Sequence, residues 1–143
     1  EVPSRGLGDV YKRQNLSIKE IFKEHGEEKF REVESTMLME TKNLTNCVIS
    51  TGGGIVINDT NREFLKKNRV YFLDNSIEIL FERATKKREQ RPLLKDITLD
   101  KFVSIYENRM NLYQECANIT LNAENKSINE IVEEISNHEK FSF

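Results

Sequence analysis

From Ser17 onward the chain alternates helix-start signals with short apolar runs, and that alternation constrains its fold more than any other feature. Ser17 with Glu20, Thr60 with Glu63, and Ser127 with Glu130 match the S/T-x-x-E capping box. Each precedes or overlaps apolar residues at helical spacing: Ile18, Ile21 and Phe22; Phe64 and Leu65; Ile128, Ile131, Val132 and Ile135. Gly26 is expected to end the first helix in a left-handed conformation, with a second helix running through Phe30, Val33 and Met37. Ser76 is expected to cap another, whose buried stripe is Ile77, Leu80, Phe81 and Ala84. Residues 47–50, 70–73 and 118–121 read as strands between these helices. Short, nearly continuous apolar strands set between helices imply crossover units and a parallel sheet. Three strands are few for such a sheet, which is therefore expected to be incomplete.

A length of 143 residues suits one domain with a real core. Charged residues make up 32% against 37% hydrophobic, and the formal net charge is −2. That balance argues against a nucleic-acid binder and against a disordered tail. Cys47 and Cys116 form neither a metal-ligand spacing nor a disulfide framework, and read as reduced thiols of a cytoplasmic protein. Residues 1–14 lack apolar periodicity and read as a non-native or disordered leader. His25, near a helix end, and His138, near the C-terminus, read as unremarkable.

Four groups of residues invite a chemical reading. Phe102, Tyr106, Arg109 and Tyr113 follow a 4-3-4 spacing that puts an arginine in the apolar stripe of a helix. Taken alone this is a snorkelling side chain; a functional reading requires an anion for the guanidinium. Arg31 and Glu34 are neighbours on one helical face. They read first as a surface pair contributing about 0.3 kcal/mol. The alternative is a carboxylate that orients a guanidinium for a carboxylate ligand. Gly52-Gly53-Gly54 closes the apolar run at residues 47–51 and is either a loose turn or a place where backbone N–H groups face a ligand. The basic stretch around Arg91-Pro92-Leu93-Leu94 leaves a helix at proline and is either a solvated connection or a mobile lid. No G-x-x-x-x-G-K-[ST] phosphate loop occurs in the chain.

The ordered set resembles shikimate kinase. The matching residues are Ser17-Ile18, Ile21-Phe22, Gly26-Glu27, Phe30-Arg31 with Glu34, and Val48 through Gly54. They continue with Arg83, Arg91-Pro92-Leu93-Leu94, and Arg109 with Tyr113, so that the resemblance spans roughly residues 15 to 138. It implies a three-layer α/β/α fold of the P-loop-kinase type, with a parallel sheet incomplete at the N-terminus. Residues 15–143 are then a partial kinase domain comprising the substrate-binding, lid and C-terminal parts. The implied activity is ATP-dependent phosphorylation of the shikimate 3-hydroxyl on the route to chorismate and the aromatic amino acids.

The resemblance also implies roles. Arg31 and Arg109 clamp the shikimate carboxylate, and Glu34 orients Arg31. Gly52, Gly53 and Gly54 line the pocket; Arg91 reaches the phosphates from the lid; Arg83 packs near adenine. ATP and Mg²⁺ are expected for the intact family member, though their main binding elements have no counterpart in this sequence. By rough spacing Arg5 and Leu7 stand where an Asp-x-Asp pair belongs, so this chain by itself is expected not to turn over. No metal ligand is assigned within it. Two other readings remain: a non-catalytic remnant that binds shikimate or a protein partner, and another small-molecule kinase of the same fold. The expected partner is a small molecule, with neither nucleic acid nor membrane, and the expected state of a complete enzyme is a cytoplasmic monomer.

Overall fold

The computed structural model describes residues 18–86 and 96–140. Its elements run in the order α1 (Ile18–Glu40), α2 (Asp59–Leu65), β1 (Tyr71–Asp74), α3 (Ile77–Lys86), α4 (Leu99–Cys116), β2 (Ile119–Asn122) and α5 (Ile128–Lys140). Two 3-10 turns, Thr41–Asn43 and Gly53–Ile57, lie between α1 and α2.

α1 breaks where the sequence places the break. Gly26 adopts φ 77° and ψ −179° within the helix, a conformation that side-chain-bearing residues essentially avoid. It has positive φ, as expected, but its ψ is extended rather than left-handed helical. The chain therefore kinks and continues instead of stopping. Ile21 and Phe30 bury themselves on either side of the kink, and Phe22 packs tilted against Phe30 with ring centroids 4.7 Å apart.

β1 and β2 pair in parallel, with Tyr71 opposite Ile119 and Asp74 opposite Asn122. The path from one to the other passes through α3 and α4, as parallel pairing requires. The side chain of Asn118 extends the pairing by accepting from Val70 N–H at 2.7 Å. The strand expected at residues 47–50 is reduced to a single bridge at Ile49, and Val48 is 72% exposed. A strand is defined by a neighbour in register, and the two described strands take each other as that neighbour.

The caps divide similarly. Ser127 accepts from Glu130 N–H at 3.1 Å and so caps α5; Ser76 accepts weakly from Ile79 N–H at 3.4 Å ahead of α3. α2, however, is capped by Asn58, whose Oδ1 accepts from Thr60 and Asn61 N–H, and not by Thr60. Asparagine and threonine are both good caps, and Asn58 comes two residues earlier. Ser17 lies outside the described residues.

The main core comprises Leu38, Ile55, Val56, Leu65 and Cys116, with Leu112 and Tyr113 packed on it. It lies directly behind the glycine triplet and joins the end of α1 to α2 and α4. Burial raises the Cys116 thiol above its ordinary pKa, which keeps it protonated. No helix among the described residues is long and apolar enough to cross a membrane.

Candidate acceptor-binding site

The three glycines each meet a different side chain. A Cβ on Gly52 would stand 3.5 Å from Glu34 Oε1, one on Gly53 would stand 2.9 Å from the Tyr113 hydroxyl, and one on Gly54 would stand 2.5 Å from Arg31 Cζ. The first is ordinary contact; at the other two a side chain would have to displace the Tyr113 hydroxyl or the Arg31 guanidinium. The triplet is thus a close approach of backbone to Arg31 and Tyr113 rather than a loose turn.

Arg31 and Glu34 are not the surface pair that their spacing alone favours. Glu34 is only 3% exposed and accepts from Arg31 Nη1 at 2.9 Å, while the arginine side chain is 23% exposed. Burial of the carboxylate against the triplet converts an ordinary i, i+3 pair into a fixed support. Glu27 Oε1 lies 3.7 Å from Arg31 Nε, and that nitrogen is buried without a hydrogen-bond acceptor. The guanidinium is held in place with donor capacity to spare.

Tyr113 approaches from α4. Its hydroxyl donates to the Gly53 carbonyl at 2.9 Å, and its ring stacks on Phe72 of β1 at 4.9 Å. Arg109 stands one turn earlier on the same face, about 6 Å along the axis. It is half-buried and has no ion-pair partner among the described residues. Tyr106, one turn earlier again, donates to Asp74 Oδ1 at 2.5 Å; burial, then that bond, raises its phenol well above 10.0.

Two residues that sequence reasoning missed hold the turn after the triplet. Asn61 is 1% exposed; its Nδ2 donates to Ile55 O and to Ser35 Oγ, each at 3.0 Å. Arg62 donates to Val56 O at 2.7 Å and to Ile57 O at 3.1 Å. Asn61 therefore ties the residue beside Glu34 to the turn that carries Gly54. Glu115 faces both Arg62 and Lys66, and the Lys66 ammonium holds its carboxyl below the usual range. The only available signal was an Asn-Arg pair at the start of a short helix, which by composition reads as solvated.

The structure brings Arg31, Glu34, the triplet and Tyr113 into contact, and sets Arg109 one turn beyond. Arg83 is exposed on the last turn of α3, in contact with none of these, and Arg91 lies outside the described residues. Among the described residues no three His, Cys, Asp or Glu come together to hold a metal.

The fold is that of the P-loop-kinase-like α/β phosphotransferases. A shikimate kinase from Acinetobacter baumannii, solved in complex with shikimate, superposes with a TM-score of 0.84 at 28% identity, over 92% of this chain and 74% of that one. The Aquifex aeolicus enzyme superposes with a TM-score of 0.79 at 30% identity, over 97% and 80%. The family model for shikimate kinase matches residues 9–139, beginning inside the segment set apart as a leader. The shikimate kinase of Enterococcus faecalis is 40% identical over 121 residues, covering 83% of this chain and 71% of that protein. The chain belongs to the shikimate kinase family.

Proposed function

We propose that these residues form the acceptor side of an enzyme that phosphorylates the shikimate 3-hydroxyl. The carboxylate of shikimate is held by Arg31 and Arg109, and Gly52, Gly53 and Gly54 line the pocket. Glu34 touches Arg31 and sets its orientation. The observation that carries this reading is the Arg31 guanidinium laid against Gly54 and anchored by buried Glu34, its Nε buried without a hydrogen bond and 3.7 Å from Glu27 Oε1. A guanidinium fixed in this way is prepared for a planar carboxylate, because the cost of ordering it is met before the ligand arrives. Half-buried Arg109 has no ion-pair partner among the described residues, and the substrate carboxylate supplies one.

The phosphoryl donor in this reading is ATP with Mg²⁺. Arg91 approaches its phosphates and Arg83 its base. The remaining expectations, a cytoplasmic monomer with a small-molecule partner, belong to the same reading. Calorimetric titration of shikimate into the chain and into Arg31→Ala and Arg109→Ala tests the acceptor assignment. Binding that survives both substitutions would refute it.

A further inference from the structure

Tyr113 carries no role in the reading above, yet it is the side chain through which α4 touches the triplet. Its ring is placed first by stacking on Phe72, at 4.9 Å, and by Tyr106, at 6.4 Å. Its hydroxyl then reaches Gly53 O at 2.9 Å. A Cβ on Gly53 would lie 2.9 Å from that oxygen, so this hydrogen bond requires glycine there. The Gly53–Gly54 peptide is trans, with its C=O and N–H on opposite sides. Binding the carbonyl to α4 turns the Gly54 N–H away from α4. Arg31 lies against Gly54, and Arg109 lies on the Tyr113 face of α4. One hydrogen bond therefore joins the two arginine-bearing helices through a single peptide.

We propose that Tyr113 is a positioning residue: its hydroxyl fixes the Gly53–Gly54 peptide and thereby holds Arg109 in register with Arg31. The inference rests on the acceptor reading. Its consequence for specificity is geometric. A carboxylate bridging two guanidinium groups is sensitive to their separation, and the separation is set by a residue that does not touch the ligand.

Tyr113→Phe keeps the ring and removes only the hydroxyl. Amide spectra of the free chain, thermal melting and calorimetric titration with shikimate are compared for wild type, Tyr113→Phe and Arg31→Ala. In Tyr113→Phe the Gly53 and Gly54 amide resonances move, the melting temperature stays within about 3 °C, and shikimate binding weakens about fivefold, the factor commanded by one neutral hydrogen bond. A tyrosine that served only the fold would lower the melting temperature and leave binding at low temperature unchanged. Binding lost in Arg31→Ala but unchanged in Tyr113→Phe overturns this inference and spares the acceptor reading. Weakened binding with unmoved Gly53 and Gly54 resonances also overturns it, since the hydroxyl would then be acting on the ligand itself. A wild-type chain that fails to bind shikimate overturns both.

Discussion

Arg31 occupies the space that a side chain on Gly54 would need: a Cβ there would stand 2.5 Å from the guanidinium carbon. The two residues are far apart in sequence, on α1 and in the Gly53–Ile57 turn, and each restricts what the other can be. A side chain at position 54 would displace the Arg31 guanidinium, which rests where it does because nothing projects from Gly54.

Gly54→Ala is therefore expected to separate binding from folding. The atoms it displaces belong to the end of a flexible side chain, so Arg31 swings aside and the backbone keeps its path. The melting temperature is expected to change by only a few degrees, about what 1 kcal/mol produces. Shikimate affinity is expected to fall about tenfold or more, as expected when a bidentate contact is lost. A variant that binds normally would show that Arg31 does not need its present position.

Glu34→Gln removes a charge from a group that is 3% exposed while keeping its shape. Breaking a fully buried pair costs about 3–5 kcal/mol. The Arg31 side chain keeps 23% of its surface in water, so the expected loss is smaller, about 2 kcal/mol by urea denaturation. A loss under about 0.5 kcal/mol would place the pair among ordinary surface pairs.

The helices of this fold were readable because their signals are local. Gly26, Ser76 and Ser127 act within one turn of themselves, and each lies where a break or a cap occurs. The candidate site was legible through the ordered set of Arg31, the triplet and Arg109, not through any one of them. What stayed hidden depends on partners distant in sequence. The burial of Glu34 comes from the triplet packing over it, while Asn61 is buried because Ser35 and Ile55 offer it partners. Residues 47–50 have strand composition, but a strand also needs a paired neighbour, which composition cannot supply.

Asn61→Ala is expected to be the most destabilising of the polar substitutions near the site. It strips a donor from the buried Ile55 carbonyl and from Ser35, and opens a void where the structure is 1% exposed. The expected cost is about 2–3 kcal/mol, measured as a shift in urea midpoint at constant slope. A near-neutral result would mean that the turn holds itself without Asn61.

Alkaline stability should report on Tyr106. Its phenol is raised above 10.0, first by burial and then by the hydrogen bond to Asp74. The folded state thus favours the protonated form, and the stabilisation is full below pH 10.0 and is lost as pH rises beyond it. Tyr71 is raised too, chiefly by burial, so Tyr106→Phe should flatten the alkaline fall without abolishing it. Urea midpoints of wild type and Tyr106→Phe, measured from about pH 8 to about pH 11, would show this. Parallel curves would mean that Tyr106 ionises freely in the folded chain.

The most direct measurement is calorimetric titration of shikimate into the 143-residue chain, repeated with methyl shikimate and with Arg31→Ala and Arg109→Ala. The expected result is binding by the wild type without nucleotide, about tenfold or more weaker for the ester and for either variant. Equal affinity for acid and ester, or binding that ignores both arginines, would contradict a carboxylate site built on Arg31 and Arg109.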